Sequence, residues 1–438
     1  MAIPVKVEAQ RSLGTRAVVL IVFAILALYA FEAHYRRAEK STPAVLGDQD
    51  AYLGYARHLY ESNYTVTEDR NRMPVYPFLL SLIYRPGLTA DEFLIRAQWF
   101  TVNLSIVLLL GLFFIFRRFF PPLHAIALLA ATAFGIFIYR AGKAQAELLF
   151  YVVSFCAFVL LLQLFGKPRW WVALLAGTMT GVAHLTKASV LPGLIIWAVV
   201  FASQILWSFR SNPWRRLGML VLVLGAFLAV VGPYIRTSKR IYDSYFYNVN
   251  STFVMWCDSS TEAFDFLNEH GDKDQWREVP PEERPSFQKY WREHSLGQMA
   301  KRILQGGVDL LTKNMKAIGH YKFVLALVIA GVVLCARHRT AAAALLARNP
   351  FAAIFSLLFL AGYFLLFAWY GAITNDARFV LSIFLPVAFA ASVFVFLLGR
   401  DRIVSLAGRT IAFERFFAGL FLGLALIDVV YNAPGILR

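Results

Sequence analysis

Long apolar runs alternate with short polar breaks along the 438 residues of this chain. Runs of about 15 to 23 apolar residues, long enough for a helix to cross a bilayer, lie near 17 to 34, 94 to 116, 123 to 139, 147 to 165, 170 to 184, 189 to 208, 217 to 234, 322 to 336, 350 to 370, 379 to 399 and 416 to 432. The pattern predicts an all-α integral membrane protein, one membrane domain over 1–438 with about eleven transmembrane helices.

Two longer stretches, 35–93 and 235–321, break the rhythm. In the first, Tyr52, Tyr55, Ala56 and Leu59 recur at i, i+3, i+4 and i+7, which predicts an amphipathic helix lying at the membrane interface. Asp48 is placed to be its N-cap and Asp50 a favourable first-turn charge. Arg72-Met73-Pro74-Val75-Tyr76-Pro77 predicts a short interfacial or re-entrant helix after an extended approach, because proline suits a helix start and disfavours helix before it. Thr89-Ala90-Asp91-Glu92 reads as a capping box for the second span, which makes Asp91 and Glu92 structural. In the second stretch, acidic residues from Asp258 to Glu283, with Asp272, Asp274 and Glu278 among them, precede a helical pattern over 287–304. They predict a small, partly helical cap whose acids form a solvated face.

Composition agrees with the pattern: 59% of residues are hydrophobic and only 16% charged. The formal net charge of +16 gathers in alternate short loops. With the N-terminus cytoplasmic, seventeen Lys and Arg residues, from Lys6, Arg11 and Arg16 through Arg210 to Arg415, face Arg140, Lys143, Lys187 and Arg378 on the other side. This bias predicts a multi-pass plasma or bacterial inner membrane protein with both long stretches and the C-terminus outside. It also assigns the positive charge to membrane lipids as partners and not to nucleic acid. The first run lacks a small-residue cleavage site and reads as a retained anchor. Cys156, Cys257 and Cys335 imply no disulfide framework. No CxxC, HExxH, P-loop or serine-nucleophile elbow occurs, so metalloprotease, ATPase and hydrolase chemistry lack their parts.

Most carboxylates fall in the two outer stretches; Glu147 opens the fourth span and Asp428 lies in the last, where burying a carboxylate costs about 2.5 to 3.5 kcal/mol at mid-bilayer. The motifs around these residues resemble a family. Asp48-Gln49-Asp50-Ala51-Tyr52 is similar to an Asp-Glu-x-x-Tyr motif, with Gln49 in place of the usual glutamate, and Arg72-Met73-Pro74-Val75-Tyr76-Pro77 to Arg-x-Pro-x-Tyr-Pro. Ala146-Glu147-Leu148-Leu149-Phe150 resembles a second acidic motif, and Leu185-Thr186-Lys187 a Leu-Thr-Lys segment. Gly232-Pro233-Tyr234-Ile235-Arg236 resembles Pro-Trp-x-x-Arg-Asn, with Thr237 where Asn is common, and Arg378-Phe379-Val380-Leu381 a late Arg-Tyr-x-Leu. In this order they resemble the polyprenyl-phosphate-sugar-dependent glycosyltransferases of the GT-C superfamily, which include protein O-mannosyltransferases and the bacterial lipid A aminoarabinose and galacturonic acid transferases, a glycosyltransferase family 39-like group.

The resemblance implies a GT-C-like bundle and a lipid-linked sugar phosphate donor, with inverting transfer to a hydroxyl of an envelope glycan, glycolipid or protein on the outer face. Asp48 is then the favoured general base and Asp50 the alternative. Glu147 could orient the acceptor, hold cations, or join Asp48 around magnesium or manganese; satisfaction by Lys143 or Arg140 is its structural alternative. No metal or other cofactor is assigned. Tyr52 and Tyr76 join Arg72, Lys187, Arg236 and Arg378 as substrate-binding candidates, the four cations serving the leaving phosphate or acting as interfacial anchors. Tyr234, Trp256, Trp369 and Tyr370 read as an aromatic belt or as sugar-stacking surfaces. A transporter or flippase for a lipid-linked sugar and a non-catalytic membrane subunit are the alternative functions.

Overall fold

The computed structural model describes residues 13–39, 47–65, 71–207, 213–270, 279–314, 320–374, 376–406 and 409–432. Lys6, Glu8, Arg11, Arg210, Asp272, Asp274 and Glu278 lie outside them. The apolar runs form helices throughout: α1 (Thr15–Glu39), α4 (Ala90–Phe119), α5 (Pro122–Gly135), α6 (Glu147–Leu164), α7 (Trp170–Thr186), α8 (Leu191–Trp207) and α9 (Pro213–Tyr242). After the second stretch come α14 (Tyr321–Arg337), α15 (Arg339–Arg348), α16 (Pro350–Tyr370), α17 (Arg378–Gly399) and α18 (Phe413–Asn432).

Among the described residues, eight helices are long and apolar enough to cross a membrane, or nine if α14 and α15, bent by 109° at their junction, are taken as one span. Eight or nine such helices thus stand against the eleven, give or take two, that the apolar runs predict. The runs at 170–184 and 416–432 do form helices, but α7 is only 17 residues long and α18 carries Glu414, Arg415 and Asp428. Helix α9 continues to Tyr242 with Pro233 inside it, so the second stretch begins eight residues later than the hydropathy pattern indicates.

The helices interlock where small residues allow. A Cβ on Gly177 of α7 would lie 2.3 Å from the Val223 carbonyl of α9, and one on Gly181 2.7 Å from Val230 Cβ; these two helices pack backbone to backbone, as small residues permit in apolar surroundings. Between α17 and α18, an antiparallel hairpin pairs β1 (Ile403–Leu406) with β2 (Arg409–Ala412) in the register Ile403↔Ala412.

At the opposite end of the bundle lie α2 (Asp48–Glu61) and α3 (Val75–Ser81). Helix α2 buries Gln49, Tyr52, Leu53, Tyr55, Ala56 and Leu59, the stripe that the spacing predicts. Its N-cap is Gly47, at φ +88°, and no side chain caps it. Asp48 is thus the first helical residue and not the cap, which leaves its carboxylate available elsewhere. The Thr89/Glu92 capping box is present at the start of α4. A second apolar cluster, including Tyr52, Leu53, Tyr76, Leu80, Phe93, Ala144 and Leu149, binds α2 and α3 to α4 and to the start of α6.

The second stretch folds into α10 (Val249–Thr252), α11 (Ser260–His270), α12 (Phe287–Glu293) and α13 (Leu296–Asp309), partly helical as expected. It is pinned at Arg302, whose guanidinium lies 4.4 Å from the Trp369 ring centroid and 5.0 Å from that of Tyr290 and donates to the Trp369 carbonyl at 3.0 Å. Trp256 of the cap thus packs against Trp369 of α16, at 5.7 Å between rings.

Candidate active site: a charge cluster at one end of the bundle

Four separate parts of the chain bring their charges together. Asp48, at the first position of α2, accepts from Arg72 Nη2 at 2.8 Å through Oδ1 and from Arg378 Nη1 through Oδ2. Arg378, at the first position of α17, also lies 3.7 Å from Glu147 Oε1 and 3.4 Å from Asp376 Oδ2. Lys187 Nζ reaches the same Glu147 oxygen at 3.4 Å, and Arg140 closes the far side on Asp376. Lys143 lies near enough to interact electrostatically with Asp376, Glu147 and Arg378.

Local structure fixes each member. The loop carrying Arg72 is held through Met73, which is buried and whose sulfur accepts from Tyr234 Oη at 3.5 Å. Asn250 of the cap donates to Asn71 beside it. Lys187 stands where α7 ends, in an extended conformation at φ −158° and ψ 128°, with its ammonium 5.6 Å from the Phe379 ring centroid. The Arg378 backbone N–H donates to Asp376 Oδ1 at 2.9 Å and its carbonyl accepts from Tyr151 Oη at 3.1 Å. Gln49 Oε1 accepts from the Ala144 N–H at 2.9 Å, fastening α2 to the loop before Glu147; a neutral amide suits this buried bond.

Burial would push the Asp48 carboxyl up, but Arg378 and Arg72 overcome it and hold it at about 2. For Asp376, too, burial opposes the shift, and the Arg378 N–H with Arg140 and Arg378 brings the carboxyl down. Burial, reinforced by Glu147 and Asp48, raises the Tyr52 hydroxyl well above its usual range; it is a neutral donor beside the cluster. Tyr76 stands behind it, its ring edge-on to Tyr52 at 5.4 Å and its hydroxyl bonded to Thr101 at 2.6 Å.

Asp48, Glu147, Tyr52, Arg72, Lys187 and Arg378 are therefore neighbours. Asp50 and Arg236 are not: both are exposed and, among the described residues, neither makes an ion pair. Residues two apart on a helix face different ways, so once Asp48 faces the cluster Asp50 cannot, and with Tyr234 and Ser238 buried in α9 Arg236 points outward. Glu147 takes Lys187, not Lys143 or Arg140, as its partner, because Arg140 is engaged by Asp376. Arg378 fills the space between Asp48 and Glu147 that a bridging cation would need. Among the described residues, no three His, Cys, Asp or Glu side chains are grouped to hold a metal ion.

Three contributors were missed in the sequence: Asp376, Tyr151 and Gln49. Asp376 had a visible signal, as the sole carboxylate between the runs at 350–370 and 379–399, two residues before Arg378. Tyr151 had none, being one aromatic among many in an apolar run.

Two cavities lie apart from this cluster. One, of about 680 Å³, is in the cap beside Asp258, His294, Lys301, Arg302 and Gly371; the other lies between α14 and α18. No protein family matches the chain by sequence, and no curated protein does. Two solved structures similar to it are crystal structures of ArnT from Cupriavidus metallidurans, one bound to undecaprenyl phosphate at 17% identity and a TM-score of 0.37, the other in the apo state at 18% and 0.40, each covering 82% of this chain and 78% of that one.

Proposed function

We propose that the chain is a membrane glycosyltransferase. It moves a sugar from a polyprenyl-phosphate donor to a hydroxyl of an envelope glycan, glycolipid or protein, with inversion, on the outer face of a plasma or inner membrane. The observation that carries the reading is the convergence, among the described residues, of Arg72, Arg140, Lys143, Lys187 and Arg378 on three carboxylates, Asp48, Glu147 and Asp376, at one end of an apolar bundle.

Among the described residues, five basic side chains face three carboxylates, an excess that suits an anionic ligand. A polyprenyl phosphodiester carries one negative charge, and the departing monoester approaches two. The excess therefore favours the charge that develops as the anomeric carbon–oxygen bond breaks, and this differential stabilisation is what lowers a barrier. The apolar ends of the surrounding helices keep the prenyl chain in lipid while the phosphate reaches Arg72, Lys187 and Arg378.

As the acceptor oxygen bonds to the anomeric carbon its proton must leave, and Asp48 takes it. In the resting cluster Asp48 is a weak base, because both oxygens are engaged by arginine. A phosphate drawing Arg72 or Arg378 toward itself releases an oxygen and raises the basicity of the carboxylate; donor binding thereby prepares the base. Tyr52 Oη, kept protonated, is a further donor to the sugar or phosphate. Glu147 holds Lys187 and Arg378 in place, with Oε2 buried and without a hydrogen-bond partner.

Purified wild type and Asp48→Asn are each given labelled polyprenyl-phosphate sugars with membrane extract as acceptor, and released polyprenyl phosphate is measured. The proposal expects release by the wild type and almost none by the variant. Equal release by both would remove Asp48 as base. No release from any donor, with the labelled lipid instead changing leaflet in vesicles, would establish the flippase alternative.

A further inference from the structure

The groove between α14 and α18 shares no lining residue with the charge cluster, and its Arg402 end lies beyond Gly399, at the opposite end of α17 from Arg378. It encloses about 550 Å³. Its walls are apolar, with Leu325, Ile329 and Val333 on α14 facing Leu420 and Leu424 on α18. From Leu325 to Leu334 the α14 wall runs ten residues, about 15 Å at helical rise, within a helix that is apolar enough to help span a membrane.

One end of this groove is basic. Arg337, His338 and Arg402 line it, and no carboxylate is among the residues described as lining the groove. Three backbone features place these residues. The His338 N–H donates to the Leu334 carbonyl at 2.8 Å, ending α14 at the corner where the chain turns by 109° into α15. The Arg402 N–H donates to the Gly399 carbonyl at 3.1 Å, and its own carbonyl accepts from Phe413 N–H at 2.9 Å. The base of the β1–β2 hairpin is thereby tied to both α17 and α18. The nearby Asp401 pairs instead with Arg400, at 4.0 Å. At the other end, Lys322 is bound to Asp428, so among the described residues the uncompensated charge is confined to the Arg337 end.

An apolar slot of acyl-chain depth opening on two arginines and a histidine has the chemistry of a lipid with a negative headgroup. In a bilayer the slot is covered by hydrocarbon in any case, and the cations add the selection, as basic pockets between membrane helices do for anionic lipids. Arginine favours such a site because its planar donors match phosphate oxygens. We propose that this groove is a binding site for one anionic phospholipid, acyl chain between α14 and α18 and phosphodiester on Arg337 and Arg402. The site is independent of the glycosyltransferase reading.

The test uses the full chain, purified in detergent, stripped of lipid and offered an equimolar mixture of phosphatidylglycerol and phosphatidylethanolamine. Retained lipid is counted by native mass spectrometry. The wild type is expected to retain phosphatidylglycerol over phosphatidylethanolamine by at least about fivefold. Arg337→Gln with Arg402→Gln should bring the two near parity, while Arg215→Gln with Arg216→Gln, an equal change of charge elsewhere, should leave the preference intact. Ala326→Trp with Ala330→Trp fills the slot and keeps the arginines; it should abolish retention of the selected lipid, with size-exclusion elution and melting temperature reporting the fold. Equal retention of both lipids by the wild type would overturn the proposal. So would equal loss in the Arg215/Arg216 control, which would mean diffuse surface charge, or undiminished retention after the tryptophan filling.

Discussion

Arg378 and Asp48, 330 positions apart, are joined by a direct hydrogen-bonded ion pair, and Arg378 also reaches Glu147. One guanidinium thus links the first position of α2, the first position of α6 and the first position of α17. Its planar fork can address several oxygens at once, and this places the arginine at the centre of the charge cluster, between the two carboxylates.

Replacing Asp48 by Asn should lower kcat by about 10² to 10⁴-fold, the usual contribution of a positioned base, without raising the donor KM. Arg72 and Arg378 are freed for phosphate by this change. A purely structural Asp48 would give the opposite split, with KM rising because the arginines lose their anchor; steady-state kinetics over a donor range separates the two.

Arg378→Lys keeps the charge and loses the fork. It should cut kcat/KM by at least tenfold, on the order of 1.4 kcal/mol, since a lysine cannot span Asp48, Glu147 and Asp376 together. If Arg378→Lys matched the wild type in kcat/KM, bridging by this residue would be irrelevant to transfer.

Acid should weaken the protein through Asp48. Its folded value of about 2 lies below the ordinary 3.8, so the stabilisation is complete above about pH 4, is lost as pH falls toward 2, and vanishes below, where both states are protonated. The size is at most about 2 kcal/mol, reduced by the partial exposure of the pair. The melting-temperature margin of wild type over Asp48→Asn, followed from pH 6 to pH 2, should be flat and then narrow below pH 4; a margin constant to pH 2 would contradict the ion pairing.

The cap depends on one close approach. A Cβ at Gly306 of α13 would lie 1.8 Å from the Ala368 carbonyl of α16, backbone that cannot yield. Gly306→Ala should destabilise by about 2 kcal/mol or more, as overpacking does, and release the cap before the bundle. Hydrogen exchange should rise in 287–309 while remaining unchanged in α6 and α7; a uniform rise would show that the cap and bundle unfold together.

Gln49→Ala removes the acceptor of the buried Ala144 N–H. The orphaned donor should cost about 1 to 3 kcal/mol, read as a lower melting temperature, and should slow transfer through displacement of the loop that leads into Glu147. Normal activity in a destabilised variant would confine Gln49 to stability.

By itself the sequence determined the helical class, α2 and α3, the capping box and the placing of Asp48, Glu147, Lys187 and Arg378 at helix ends, because apolar period and charge position are local properties that survive without any fold. Tertiary structure alone decided which charges meet. Asp48 became a partner of Arg378 and not a helix cap, Glu147 chose Lys187, Asp50 and Arg236 were turned outward by helical phase, and Asp376 entered beside Arg378. Ion pairing is decided by distances between elements hundreds of residues apart, and those distances follow from how the helices pack, which no local pattern encodes.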